Sequence, residues 1–331
     1  MLGYALTAAG CSSNSGEKPP PTIVPAGPAA SPPVSVAPAG VVRPLPGRPR
    51  AALFDAGTSS LVVFSPGADA RSPATVTVFA AGGGAPKAIA LPGPATALAG
   101  DDRGTAYLAA RGGYFQVDVA AARATRVGVG GQDGTDFTAI ARRADGRLVL
   151  GSADGAVYTL GSASTVAARV KIFSRVDELA AQGDTAVVLD RAQTSVTTID
   201  TSGAHPQQAL RAGEGATTLT ADPAGRVLVA DTRGEGLLVF SVDPLIMRQR
   251  YPIREAPYGL AGTRTLAWVS ETAANMVVGY DLATGIPVEK VRYPTVRQPD
   301  SLAFDEASGT LYVVSGVGDG VQVVDRAAVP R

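Results

Sequence analysis

Chemistry in this chain has to be sought among few reactive side chains. There is one histidine, His205, and one cysteine, Cys11. A metal site built on imidazole needs several histidines, so His205, beside Pro206, is read as a loop residue. Asp133-Gly134-Thr135-Asp136 resembles the start of a calcium loop, but the remaining ligands and flanking helices of an EF-hand are missing. Gly82-Gly83-Gly84 and Gly128-Val129-Gly130-Gly131 precede no helical pattern, so they lack the helix N-terminus that makes a phosphate cradle. No catalytic set and no cofactor motif emerges. What remains are polar residues just ahead of apolar segments: Asp136, Arg175, Asp177, Tyr258 and Asp300. Mixed charges with a tyrosine suit a polar ligand or a peptide loop, because Tyr and Arg are favoured binding anchors. They do not suit a nucleic acid, which needs a one-signed basic surface, and the net charge here is zero. The plainer alternative, that these are solvated loop charges, stays open.

Those residues are placed by a repeat. Residues 256–281, APYGLAGTRTLAWVSETAANMVVGYD, read as three short strands separated by polar turns, and the pattern returns at 298–325. Apolar anchors fall at Leu53, Leu98, Ile140, Leu179, Leu219, Leu260 and Leu302, at intervals of 39 to 45 residues. Each anchor is followed by a turn and a second strand rich in Val, Leu and Ala, then by a third strand. One small antiparallel sheet cannot bury both its faces, so copies must stack, and radial stacking gives a β-propeller. The sequence therefore predicts an all-β chain of seven four-stranded antiparallel blades. The seventh repeat runs out after its third strand. Val41-Val42-Arg43-Pro44-Leu45-Pro46-Gly47 matches Ala88-Ile89-Ala90-Leu91-Pro92-Gly93, and both precede an inner strand. Residues 41–45 are thus expected to close the ring as the missing outer strand. In such a ring the blade-to-blade connections and the turns between second and third strands share one face. That places Asp136, Arg175, Asp177, Tyr258 and Asp300 around the mouth of a central channel.

Pro257-Tyr258-Gly259-Leu260-Ala261 and Thr310-Leu311-Tyr312-Val313-Val314-Ser315 resemble the repeat of YVTN/YncE-type seven-bladed propellers, roughly PxGIA…G..LYVAN…V.VID. The chain departs from it at the end of the second strand, where that family often has Asn and this chain has Ser315, Ser270 or Asp231. Related propellers include lactonases that hold calcium through Asn, Glu and Asp. Here the one Asn in the part expected to fold is Asn275, so that ligand set cannot be assembled. Quinone-dependent dehydrogenases and WD-repeat propellers carry a Trp in each blade. The single Trp268 is instead read as packing within a second strand.

The N-terminus reads differently. Leu6-Thr7-Ala8-Ala9-Gly10-Cys11-Ser12-Ser13 resembles the lipobox of bacterial lipoproteins, in which small residues precede a cysteine that is lipidated. It departs by having Ala8 where Leu is commonest and by lacking a basic n-region. Residues 1–10 are accordingly read as the remnant of a signal peptide whose start lies further upstream, and a chance cysteine in a disordered tail is the alternative. Residues 11–40 are rich in Pro, Ala and Ser without a hydrophobic period, and are expected to be a semi-rigid tether. Residues 41–331 would then form the propeller. No apolar run approaches the ~18 residues that cross a bilayer, so contact with the membrane is expected through the lipid alone.

These readings converge on a monomeric, lipid-anchored, extracytoplasmic module on the cell membrane. It would bind an envelope protein or a polar small ligand at the channel mouth, without catalysis. The competing reading is a cell-envelope hydrolase or lactonase-type enzyme, since this fold hosts both. The anchor has a direct test. Cys11→Ala in the correctly started gene is expected to move the protein from the membrane to the soluble fraction, and retention at the membrane would refute the lipobox reading.

Overall fold

The second strands of the repeats are apolar without alternation. Leu61, Val62, Val63 and Phe64 follow one another within Ser60–Ser65, and all four are fully buried. Such a strand is stable only where both faces of its sheet are covered. The computed structural model, which describes residues 21–329, shows how they are covered. Its 28 strands form seven four-stranded antiparallel sheets arranged as the blades of a propeller, and the described residues contain no helix. Blades 1 to 6 each take four consecutive strands, with the first strand innermost and the fourth at the rim. The inner strands are Ala51–Asp55, Leu98–Gly100, Phe137–Arg142, Glu178–Gln182, Ala216–Ala221, Pro257–Gly262 and Pro299–Asp305. Each contains the anchor leucine or isoleucine that the repeat spacing identified.

The apolar core is divided into seven layers, each shared by two neighbouring blades. One joins Val62, Phe64 and Val76 of blade 1 to Leu108, Phe115 and Val117 of blade 2. Another joins Trp268 and Val277 of blade 6 to Leu302, Leu311 and Val313 of blade 7. Trp268 is completely buried in its second strand and stacks on Phe304 of the next blade, ring centres 6.0 Å apart. Outer strands are more exposed, as Arg123–Gly128 illustrates.

The ring closes as the sequence indicates. Val41–Arg43 pairs antiparallel with Val321–Val324 in the register Val41 to Val323, Val42 to Gln322 and Arg43 to Val321. The strand stops at Arg43 rather than reaching residue 45, because Pro44 has no N–H to continue the ladder. Leu45 still belongs to the closure: it is 5% exposed and packs with Leu61, Val63, Phe79, Tyr312 and Val314 across the junction of blades 7 and 1.

Cys11 and the signal-peptide remnant lie outside the described residues. Residues 21–40 form no regular element, yet they do not hang free. Hydrogen bonds seat them across the face on which the inner strands begin, from Ile23 N on Ala192 O (2.8 Å) to Ala39 N on Pro294 O (3.0 Å). Interspersed prolines interrupt the donors that a helix or a strand needs, but leave the carbonyls free to accept from side chains supplied by the blades.

Leu45→Ala is expected to cost about 2–5 kcal/mol, the range for truncating a buried leucine, read as a lower midpoint in chemical denaturation. Val41→Ala, on the exposed side of the same strand, should stay within about 0.5 kcal/mol of the parent. Equal midpoints for the two variants would contradict the closure.

Candidate functional site: the channel mouth

Seven inner strands converge on the axis, and the space left between them is a channel of about 780 Å³ to which every blade contributes. Crowding there selects small residues, hence Ala51-Ala52 in blade 1, Ala97 to Gly100 in blade 2 and Gly259 to Gly262 in blade 6. In blades 4 to 7 the connections that feed the inner strands are pinned by a residue at the end of a second strand. The buried Asp190 carboxylate accepts N–H groups from Ser174 (2.7 Å), Arg175 (3.3 Å) and Gln193 (3.0 Å). Asp231 does the same for Glu214 (3.0 Å), Gly215 (2.8 Å) and Gly234 (3.0 Å). In blade 6 the Ser270 hydroxyl accepts from Gly259 N at 2.8 Å, and in blade 7 Ser315 donates to Arg297 O at 2.7 Å. In these four blades the Ser and Asp residues at that position therefore hold the incoming connection in place.

At the mouth this framework gathers six polar side chains from four blades: Arg50 of blade 1, Asp177, Glu178 and Arg191 of blade 4, Tyr258 of blade 6 and Asp300 of blade 7. All six line the channel, and Arg50 also opens to solvent. Asp177 is held by Arg191 N (2.9 Å) and lies 3.3 Å from the Arg175 guanidinium. The Glu178 carboxyl makes no hydrogen bond to a described residue. Burial pushes its pKa up to about 7; Arg50 and Arg191 pull it down, while Asp177 adds to the rise. Burial likewise lifts Asp300 to about 6, against the opposing hydrogen bond from Gln298 Nε2 at 2.9 Å. Tyr258 is pushed up to about 12 by burial and by the Glu178 charge. The mouth thus combines two fixed cations, a phenol and carboxyls that change protonation near neutrality.

Three of the five residues expected from sequence, Asp177, Tyr258 and Asp300, line the channel. The other two do not. Asp136 stands just ahead of blade 3's inner strand, where the register shifts between Phe137 and Ala139; its side chain is 58% exposed and pairs with Arg111 at 3.2 Å. Arg175 reaches the mouth only through Asp177. Conversely, Arg50, Glu178 and Arg191 were not singled out. Glu178 did carry a signal, as the one acidic residue at the head of an inner strand whose counterparts are Ala, Leu, Phe or Pro. His205 sits away from the channel on an outer connection, 76% exposed, its Nδ1 3.2 Å from Asp200. Among the described residues no group of His, Cys, Asp and Glu is arranged to hold a metal ion.

No protein-family model matches the chain, and no curated protein sequence does. Solved structures share its fold. Virginiamycin B lyase from Staphylococcus aureus superposes with a TM-score of 0.67 at 11% identity, covering 86% of this chain and 99% of that one. A chain of the mitotic checkpoint complex gives 0.70 at 13% identity over 92% and 99%. A chain of Kuenenia stuttgartiensis hydrazine synthase gives 0.68 at 15% over 87% and 98%. A lyase and chains of large assemblies occur side by side in this group. At such identities the likeness establishes the seven-bladed propeller and nothing finer.

The Glu178 environment makes a signed prediction. Its carboxyl binds a proton more tightly in the folded chain, about 7 against an ordinary 4.5. The stability it contributes is therefore complete below pH 4.5 and is lost as pH rises to about 7. Arg50, Arg191, Asp177 and Tyr258 are the charged and titratable groups that face it. Glu178→Gln, which cannot ionise, should melt with the parent near pH 4.5 and above it at about pH 8. A variant no more stable than the parent at the higher pH would show that the carboxylate is adequately solvated.

Proposed function

We propose that this chain is a non-enzymatic binding module of the bacterial cell envelope, lipid-anchored through Cys11 on the outer side of the cell membrane, and that it holds a polar ligand or a peptide loop of an envelope protein at the channel mouth. The observation that carries the reading is the cluster itself. Half-buried Glu178 and the half-buried Tyr258 phenol come from two blades, face one space beside the exposed Arg50, and make no side-chain hydrogen bond to the described residues. Polar groups withdrawn from bulk water without protein partners are costly unless a ligand or water satisfies them. Rigid Tyr and Arg anchors are also the groups that dominate binding interfaces. The repeat's resemblance to YVTN/YncE-type propellers supports a seven-bladed scaffold of that kind, acting as a monomer and without a cofactor. The mixed charge of the mouth disfavours nucleic acid.

One observation favours the enzymatic alternative, a hydrolase or lactonase-type activity. A carboxyl titrating near 7 in a partly desolvated site has the pKa expected of a general base.

Capture of partners from membranes by the full-length protein separates the readings. Arg50→Ala and Tyr258→Ala are expected to lose captured partner by about tenfold or more, the scale of an anchor residue. Arg123→Ala, exposed on the outer strand of blade 2, should capture like the parent. Normal capture by both mouth variants would place the binding surface elsewhere. Hydrolysis of a lactone or ester with an inflection near pH 7, absent in Glu178→Gln, would instead establish the enzyme.

A further inference from the structure

A proline-rich chain has lost many of its backbone donors but keeps every carbonyl, so a surface that recognises it must supply N–H groups. The mouth face supplies them to residues 23–39. Arg233 Nη2 donates to Val24 O at 2.8 Å, and Arg191 Nη2 donates to Ala26 O. Gln298 Nε2 donates to Ala29 O at 2.9 Å, Asn275 Nδ2 to Pro32 O at 2.8 Å, and Gln322 Nε2 to Ala39 O at 2.8 Å. The central acceptors, 26, 29 and 32, are spaced by three, which is the turn of a polyproline II helix and brings successive carbonyls onto one side. Exposure follows that period over its first step, with Ala26 and Ala29 half-buried and 27, 28 and 30 exposed; beyond it Ser31 is half-buried and Pro32 exposed. Close approach is arranged too, since a Cβ on Gly215 would stand 3.1 Å from the Ala26 methyl. Ser31 fixes the register, its N–H donating to Gln298 Oε1 at 3.0 Å while its hydroxyl accepts from Gln298 N at 3.1 Å.

We propose that the mouth face of blades 4 to 7 is a recognition site for an extended, proline-rich peptide, filled in cis by residues 23–39 and opened to a proline-rich segment of a partner protein when they are displaced. The contacts read backbone carbonyls at a three-residue spacing, so they are indifferent to most side chains of the occupant. The cis segment is also held lightly. Its larger apolar side chains remain in solvent, with Val24 81% and Val36 61% exposed, so it is held by hydrogen bonds, of about 0.5–1.5 kcal/mol each, rather than by apolar burial. Its seat is coupled to the channel mouth: Arg191 belongs to both, and the Gln298 amide that holds Ala29 also holds Asp300. The proposal rests on the binding-module reading and gives it a ligand class.

The test uses the full chain and a fluorescent synthetic peptide of residues 22–39, followed by anisotropy. The parent should bind it poorly, because the tethered copy competes at a local concentration in the millimolar range (about 1 mM). A full-length variant carrying Pro25→Gly, Pro28→Gly and Pro32→Gly loosens that copy, and is expected to bind the peptide at least about tenfold more tightly than the parent. Adding Gln298→Ala and Asn275→Ala to that variant should abolish the gain, as should giving the peptide itself the three glycines. Hydrogen exchange on the parent supplies a readout that does not depend on variants folding: the amides of Ile23, Ser31 and Ala39 should be protected. No binding to the glycine variant, unchanged binding after Gln298→Ala and Asn275→Ala, or free exchange at those three amides would each overturn the proposal. If the peptide fails while Arg50→Ala and Tyr258→Ala still lose the membrane partner, the ligand class is wrong and the binding module stands.

Discussion

No blade of this protein has a core of its own. Each apolar layer lies between two sheets, so the burial that stabilises a blade is supplied half by its neighbour. In an open row the terminal sheets would each leave an apolar face and a strand edge in water, where exposed edges template aggregation. Bending the row into a ring removes both ends together. The last layer, between blades 7 and 1, then depends on residues that are far apart in sequence, Leu45 and Leu61 against Tyr312, Val314 and Val321. Three residues of backbone pairing at Val41–Arg43 hold the chain termini in place for that contact. Their value lies less in their own hydrogen bonds than in the apolar layer they register.

Ring closure also makes the site. Inner strands that converge from seven directions exclude bulky side chains near the axis, and the few polar groups admitted there are partly withdrawn from water. For Glu178 burial raises the pKa by more than Arg50 and Arg191 together lower it. That ordering says the two cations are near enough to act and too solvated or too distant to lock the carboxylate into a salt bridge. A group in that condition is available to an incoming ligand, whereas the Glu271 carboxylate, paired with Arg292 at 2.6 Å, is already committed.

The blades were legible because their signal repeats. Seven anchors at near-constant spacing, each followed by an unalternating apolar strand such as Leu61 to Phe64, leave little freedom to misplace a sheet. The mouth was only partly legible, because its members need not resemble one another. Choosing residues by their position near the connections found Asp177, Tyr258 and Asp300, yet the same rule chose Asp136, which is exposed and paired with Arg111. Glu178, at the head of its strand, and Arg50, directly ahead of Ala51–Asp55, hold positions like those that were chosen, and nothing local in the sequence set them apart as partners of one another. The seat of residues 23–39 was illegible for a different reason. Composition reports what a segment can donate, and the donors here belong to Asn275, Gln298 and Gln322, more than two hundred residues away.

The contrast between the clamps and the strap bears on how binding can be regulated. Asp190 and Asp231 each accept three backbone N–H groups, and a buried carboxylate so satisfied is costly to disturb. They fix the connections beneath the mouth, so the mouth is preorganised and a ligand loses little by ordering it. The segment 23–39 lies on that rigid surface through hydrogen bonds to its carbonyls and from the N–H groups of Ile23, Ser31 and Ala39, with its valines in solvent. Free energy for local opening therefore concentrates at its low end in this one segment. Because Arg191 and Gln298 serve both the strap and the mouth, whatever occupies one changes the affinity of the other, and by linkage the effect is reciprocal.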